Sequence, residues 1–183
     1  MNVKEVCLTP EVLREHIESL MTNIFTLYFA YGAQVDLDES MISYMYACSK
    51  LREYQGLLRE RTSLLIHLAE RQATEGTHHS CDGCLIRIFS ALHNVTEMGG
   101  SDTCRALDVP LVSNLAVKVL IKKKEVHEYM LKTLINILLA RPESFDSLPQ
   151  ITEILPHLEM NYHLLEPLAQ QYTLRFVYVR VES

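Results

Sequence analysis

The amino-acid sequence predicts an all-α fold, built as a stack of irregular helical repeats. The sequence LHNV at residues 92–95 returns 42 residues later as LINI at residues 134–137. Each copy lies late in a strongly apolar segment with helical spacing, and each such segment follows another helix-like run. Self-similarity at a period of this length is typical of stacked helical repeats, which present an extended surface to a partner.

Composition sets the limits within which this fold is sought. The chain has 183 residues, of which 48% are hydrophobic and 22% charged, and it contains only six Gly and six Pro. These values are typical of a globular protein and leave little room for a flexible linker. The net charge of −6 disfavours nonspecific binding to nucleic acid.

The expected location is intracellular, in the cytoplasm or the nucleus. No stretch approaches the roughly 20 uninterrupted apolar residues that span a bilayer, and residues 1–8 lack the apolar core of a signal peptide. The five cysteines are an odd number spread through helical segments, which does not indicate a secreted disulfide framework.

The first helix is predicted from Pro10 to Tyr31. Thr9 suits the N-cap, Pro10 the first helical position, and Glu11 the positive end of the helix dipole. Apolar residues at alternating spacings of four and three predict one stripe that needs a partner layer: Leu13, Ile17, Leu20, Ile24, Leu27 and Tyr31. Met21, Phe25 and Phe29 widen this stripe towards the end of the helix. One alternative organisation is therefore a homodimer in which this helix packs on its own copy.

A second helix is expected after the acidic residues 36–39, with one face formed by Met41, Met45, Cys48 and Leu51. Gly56 is expected to break or bend the chain, and leucines carry the helical pattern from there to about Gln72. Residues 73–80 are polar and predict a loop. We expect one domain, with N-terminal helices over 1–56, repeats over 57–172 and a tail over 173–183.

The rest of the chain is predicted to form helix pairs. The first helices of the pairs recur after 47 and then 40 residues, and are marked by Leu64/Leu68, Leu111/Leu115 and Ile151/Leu155. Gly99-Gly100 predicts a stop and restart, and Arg141-Pro142 predicts a helix end. Short helices are expected over 102–107 and 143–148. Residues 173–181 are β-branched and aromatic, and predict a short C-terminal strand.

Units of about 40 residues with one short and two longer helices resemble armadillo-type repeats and, more loosely, HEAT repeats. The late Leu-x-Asn-[Val/Ile] pattern of the third helix corresponds to residues 92–95 and 134–137. Two departures make the array irregular: residues 165–168 contain no matching asparagine, and Asp108-Val109-Pro110 stands where the family has a glycine.

The resemblance implies a right-handed superhelix whose third helices line a concave groove. In that family, groove asparagines hold the backbone of an extended peptide, which makes Asn94 and Asn136 candidate partner contacts. The alternative is that each asparagine bridges neighbouring turns within the array. The basic run at Lys122, Lys123 and Lys124 is either a solvated turn or a contact for an acidic partner.

A competing interpretation is a small adaptor organised by zinc. Cys81 and Cys84 have the Cys-x-x-Cys spacing that lets two thiolates bind one ion, and His78 or His79 could supply a nitrogen. No fourth ligand is evident, so a plain loop at a helix start stays open as well.

No phosphate-binding loop, nucleophile elbow or His-Glu-x-x-His helix is present in the sequence. We therefore expect no enzymatic activity and no cofactor. The expected function is that of a scaffold or adaptor binding another protein through a helical-repeat surface, away from nucleic acid and membranes.

Overall fold

A computed structural model of the chain describes residues 9–31, 35–75, 80–122, 126–143 and 149–182. Every regular element in these ranges is helical, so the all-α prediction is confirmed for them. The helices, numbered here in chain order, are α1 (Pro10–Tyr31), α2 (Val35–Ser49), α3 (Gln55–Arg59), α4 (Thr62–Glu75), α5 (Ser80–Ala106), α6 (Val109–Lys122), α7 (His127–Ala140), α8 (Pro149–Asn161) and α9 (Pro167–Glu182).

The chain divides into two compact units, Met1–Met41 and Ile42–Ser183. In the first unit, α1 has the predicted bounds, and the Thr9 hydroxyl accepts a hydrogen bond from the Val12 amide at 3.4 Å, as expected of an N-cap. The buried face of α1 is formed by Met21 and Phe25, from the predicted widening of the stripe, together with Tyr28. The main stripe is more exposed than predicted, since Leu20, Leu27 and Tyr31 are open.

The second unit contains two rows of helices. In one row, α5 packs against α7 and α7 packs against α9, while in the other α4 packs against α6 and α6 against α8. Contacts of α4 with α5, and of α6 with α7, join the two rows. Asp108, which replaces the expected glycine, caps α6 by accepting a hydrogen bond from the Leu111 amide at 3.1 Å.

The predicted C-terminal strand is wrong, because residues 173–181 lie within α9. Its buried side chains recur at helical spacing, at Ala169, Thr173, Phe176 and Val179. Burial of this face outweighs the β propensity of the valines and aromatics, which amounts to only a few tenths of a kcal/mol per residue.

Burial within the first row recurs every 42 residues through α5, α7 and α9. Four sets of three positions at this spacing are all buried: Leu85, His127 and Ala169; Phe89, Leu131 and Thr173; Leu92, Leu134 and Phe176; Val95, Ile137 and Val179. The repeated sequence therefore has a third copy, FVYV at residues 176–179, inside the segment that sequence patterns assign to a strand. A tyrosine, Tyr178, takes the place of the asparagine.

The predicted stop and restart at the glycine pair is confirmed. Gly100 has φ +61° and ψ −155°, a conformation open almost only to glycine, and it separates the long part of α5 from a final helical turn and a half. A Cβ on Gly99 would collide with the side chain of Thr103. The end of α7 at Ala140, before Arg141-Pro142, is confirmed as well.

Replacing Gly100 by alanine should therefore lower the free energy of unfolding by about 1–3 kcal/mol, because the new side chain disfavours this backbone conformation. Chemical denaturation followed by circular dichroism measures the loss. The matched control is Gly56→Ala in α3, where an added Cβ meets no atom within 4 Å. That exchange should leave stability unchanged or raise it by up to about 1 kcal/mol. Equal effects of the two exchanges would contradict the assignment of strain to Gly100.

Candidate functional site

The two asparagines of the repeated sequence occupy related surroundings. Asn94 is half-buried on α5, and its Nδ2 donates a hydrogen bond to the Ser49 hydroxyl of α2 at 3.0 Å. Asn136 is half-buried on α7, and its Nδ2 donates to the Thr96 hydroxyl of α5 at 3.1 Å. Each amide therefore links its own helix to an earlier helix, through a hydroxyl that lies 40–45 positions before the asparagine in the sequence.

Asn136 makes a second contact to α5, through the ring of His93. The distance from Asn136 Nδ2 to His93 Nδ1 is 3.2 Å, and the other ring nitrogen, Nε2, lies 3.2 Å from a carboxylate oxygen of Glu97. Because an ionised carboxylate only accepts hydrogen bonds, Nε2 carries the proton of the neutral ring. Nδ1 is then the acceptor, and the amide nitrogen is the group of Asn136 that faces it.

The hydrogen bonds around Asn136 form one consistent set. Its two amide hydrogens go to His93 Nδ1 and Thr96 Oγ1, while the Thr96 hydroxyl donates to the His93 carbonyl oxygen at 2.9 Å. Burial lowers the pKa of His93, and the nearby Lys132 lowers it further, against the opposing charges of Glu97 and Glu128. The lowered pKa favours the neutral ring, which is the form that this set of hydrogen bonds accommodates.

The carbonyl oxygens of the two asparagines are engaged differently from the nitrogens. Within the described ranges, neither Asn94 Oδ1 nor Asn136 Oδ1 accepts a hydrogen bond. Each oxygen belongs to a half-buried side chain and keeps its capacity to accept from an N–H group outside the helix rows. In both repeats, the asparagine Nδ2 therefore donates inside the fold while Oδ1 accepts no hydrogen bond from a described residue.

A shallow cavity of about 290 Å³ lies between α5 and α7 next to Asn136. Its wall includes Glu97, Gly100, Ser101 and Cys104 from α5, and Leu139 from α7. Ligand pockets usually measure 300–1,000 Å³, so this one suits a single side chain better than a cofactor. Leu139 is 55% exposed at its rim, and adds an apolar contact to the polar groups.

The thiol in the cavity wall is held in its protonated form. Cys104 is 2% exposed, and its burial raises the pKa of the thiol to about 11. Its Sγ lies 3.8 Å from the carbonyl oxygen of Thr96. A thiolate is the nucleophilic and metal-binding form of cysteine, so this environment favours packing over reactivity.

One turn before Asn136, Lys132 joins α7 to α9. Its ammonium nitrogen lies 2.5 Å from a Glu128 carboxylate oxygen and 4.8 Å from the ring centre of Tyr172. Burial lowers the pKa of Lys132, but the hydrogen bond and charge of Glu128 outweigh that effect, so the pKa is raised overall. This charged contact takes the place that an asparagine amide has between α5 and α7.

The other predicted site residues are not tested by the structure. Lys122 is the last residue of α6, and its side chain is not described, while Lys123 and Lys124 lie outside the described residues. His78 and His79 also lie outside the described residues, and the side chain of Cys81 is not described.

Cys84, the other cysteine of the proposed zinc site, is 3% exposed within α5. Among the side chains that the structure does place, no three His, Cys, Asp or Glu residues are grouped to hold one metal ion. The zinc interpretation and the Lys122–Lys124 contact remain predictions.

Sequence reasoning missed the partners of the asparagines. Ser49, His93 and Thr96 are ordinary helical residues in the sequence, and only their distance of 40–45 positions from Asn94 or Asn136 singles them out. Gln55 was missed as well. Its Nε2 donates to the Ser49 carbonyl oxygen at 2.6 Å and thereby secures the end of α2.

Comparison with known proteins adds no relative. The chain matches no protein-family model, and no curated protein or solved structure is similar to it. In the part of the chain that the structure describes, no helix has both the length and the apolar character needed to cross a membrane.

Asn136→Ala should destabilise the protein more than Asn94→Ala, because it removes two hydrogen bonds between helices and not one. At about 0.5–1.5 kcal/mol for each bond, the free energy of unfolding should fall by about 1–3 kcal/mol in the first variant and by about half as much in the second. Urea unfolding measures both losses. Asn114→Ala, on the exposed side of α6, is the control and should stay within about 0.5 kcal/mol of the parent. Three equal losses would argue against the bridging role.

Acidification should weaken the contact between α5 and α7. Because the folded-state pKa of His93 is below its ordinary value of 6.5, the unfolded chain binds the proton first as pH falls. The stability that His93 contributes is complete above about pH 6.5 and is lost as pH falls towards the folded-state pKa.

Urea unfolding at pH 7.5 and pH 5.5 measures this loss in the parent and in His93→Gln, whose amide oxygen can still accept from Asn136. The variant should lose less stability on acidification, and the same exchange at the exposed His67 is the control. Identical pH dependence of the parent and His93→Gln would refute the role of the ring.

Proposed function

We propose that the chain is a non-enzymatic adaptor that binds an extended segment of another protein across α5 and α7. The observation that carries the proposal is the paired use of Asn94 and Asn136. Each amide nitrogen donates to a preceding helix, once from Asn94 and twice from Asn136, and each leaves its carbonyl oxygen without an acceptor role inside the described fold. An extended peptide offers backbone N–H groups that match such acceptors.

The finer architecture that we propose is a right-handed superhelical stack of irregular armadillo-like repeats. The 42-residue recurrence of buried positions in α5, α7 and α9 supports it, as do the two rows of helices joined by α4–α5 and α6–α7 contacts. In such a stack the row that contains Asn94 and Asn136 corresponds to the groove helices of the family.

The cavity beside Asn136 supplies the second part of a peptide site. A backbone N–H of the partner donates to Asn136 Oδ1, while the adjoining side chain enters the cavity and contacts Leu139. Interfaces of this kind depend on a few buried anchors surrounded by polar contacts. The rigid amide, fixed by His93 and Thr96, orients the acceptor before the partner arrives, which lowers the entropic cost of binding.

The chemistry of the site supports an interaction role over catalysis. Burial raises the pKa of the Cys48 and Cys104 thiols, which keeps them protonated near neutral pH. The His93 ring is engaged on both nitrogens, by Glu97 and Asn136, so its hydrogen-bonding capacity is already used within the fold.

Leu139→Glu tests the surface without disturbing the core, because Leu139 is exposed. Peptides selected from a random library on the parent protein should bind this variant at least about 10-fold more weakly, a change of about 1.4 kcal/mol. Fluorescence anisotropy with a labelled selected peptide measures the affinity. The matched control is Leu164→Glu, at a leucine of similar exposure, 57%, in the turn Tyr162–Leu164. Equal affinity in Leu139→Glu and the parent would remove α7 from the site.

A further inference from the structure

Helix α1 carries two apolar faces, and the structure buries only one of them. Met21, Phe25 and Tyr28 are at most 8% exposed. The neighbouring stripe of Ile17, Leu20, Ile24, Leu27 and Tyr31 is open: both leucines are 55% exposed and Tyr31 is 73% exposed, while the isoleucines are half-buried. Large apolar side chains in a regular stripe are unusual on a solvated helix and indicate an interaction surface.

The spacing of the open stripe is that of a coiled-coil seam. Steps of three and four residues place one side chain in each turn on a single line, so that the knobs of one helix fit the holes of an identical helix. The stripe covers residues 17–31, which is about 21 Å of helix at 1.5 Å per residue. A seam of this kind is complementary to itself.

The distribution of charge favours a second copy as the occupant. The chain has a net charge of −6, so most of its surface repels another copy. In contrast, residues 20–31 contain no Asp, Glu, Lys or Arg, and helical geometry places the carboxylates of Glu11, Glu15 and Glu18 away from the stripe. Two copies can therefore meet along this face without opposing carboxylates at the contact.

The shortness of the stripe favours a dimer that dissociates on dilution. Residues 17–31 form about four helical turns. Stable interfaces usually bury about 1,200–2,000 Å² in total, and smaller contacts are typical of weak or transient association.

We propose that a second copy of this chain docks on the open stripe of α1, so that Ile17, Leu20, Ile24, Leu27 and Tyr31 of two chains form a two-helix seam. The proposal is independent of the peptide site on α5 and α7. It assigns the open face to self-association, and leaves the second unit available for a partner.

Sedimentation equilibrium of the full chain at about 2 to 200 µM tests this. The mass should rise from 21.0 kDa towards twice that value with concentration. The double variant Leu20→Glu/Leu27→Glu should remain monomeric over the whole range. The matched double variant Thr22→Glu/Thr26→Glu, at exposed positions on the other side of α1, should associate like the parent. A parent that stays monomeric at the highest concentration, or a Leu20→Glu/Leu27→Glu variant that dimerises like the parent, overturns the proposal.

A cysteine cross-link provides a test that does not depend on charged variants. Ile24 is at the centre of the stripe, so it lies opposite its own copy when the two helices run parallel, the arrangement that this test assumes. Ile24→Cys should form a covalent dimer under mild oxidation, well above the background of the parent cysteines, whereas Glu15→Cys on the opposite side should not. Circular dichroism verifies that each variant keeps its helical content. Equal cross-linking of the two variants would also contradict the seam.

Discussion

The contact between α5 and α7 is the constraint on which the second unit depends. Helix α7 is buried on most of its circumference, so its polar side chains must find partners inside the fold. Thr133, which is fully buried, bonds the carbonyl oxygen of Tyr129 in its own helix at 2.9 Å and lies 3.3 Å from that of Phe89 in α5. Asn136, one turn farther along, bonds to Thr96 and His93. Asn136 thus ties α7 to α5 by directional bonds, and the contact of Thr133 with Phe89 lies one turn before it.

These bonds determine the register of the two helices. Leucine and isoleucine side chains alone would tolerate a shift by one turn, about 5.4 Å, since such a shift brings similar apolar groups together again. The same shift would separate the Asn136 amide from both of its α5 acceptors, and an unpaired buried polar group costs about 1–3 kcal/mol. The apolar core therefore provides most of the stability, and the polar bridges select one arrangement. This also explains why the ring of His93 has to be neutral: a proton on Nδ1 would face the amide hydrogens of Asn136.

The sequence predicts what local chemistry determines. The bounds of α1 follow from Thr9 and Pro10, the break at Gly100 from a glycine pair, and the all-α class from apolar spacing. The sequence-based prediction is wrong where the structure depends on which other helix covers a given face. On α1, the sequence predicts one wide apolar stripe, and local spacing does not indicate that Met21, Phe25 and Tyr28 are covered while the rest of the stripe is not. At residues 173–181, the β propensity of the side chains predicts a strand, because the sequence does not show that packing in the second unit buries one face of a helix there. The sequence singles out Asn94 and Asn136, but their hydrogen-bond partners lie 40–45 residues away, beyond the reach of any local pattern.

The third copy of the repeated sequence shows which part of it is essential to the architecture. FVYV keeps the first and fourth positions buried, as Phe176 and Val179, and replaces the asparagine by the exposed Tyr178. The apolar pair is thus common to all three copies, whereas the asparagine occurs only in the first two. Between α7 and α9, Lys132 contacts Tyr172 and is neutralised by Glu128. The asparagine identifies the repeat only in α5 and α7, whereas the buried positions identify it in α5, α7 and α9.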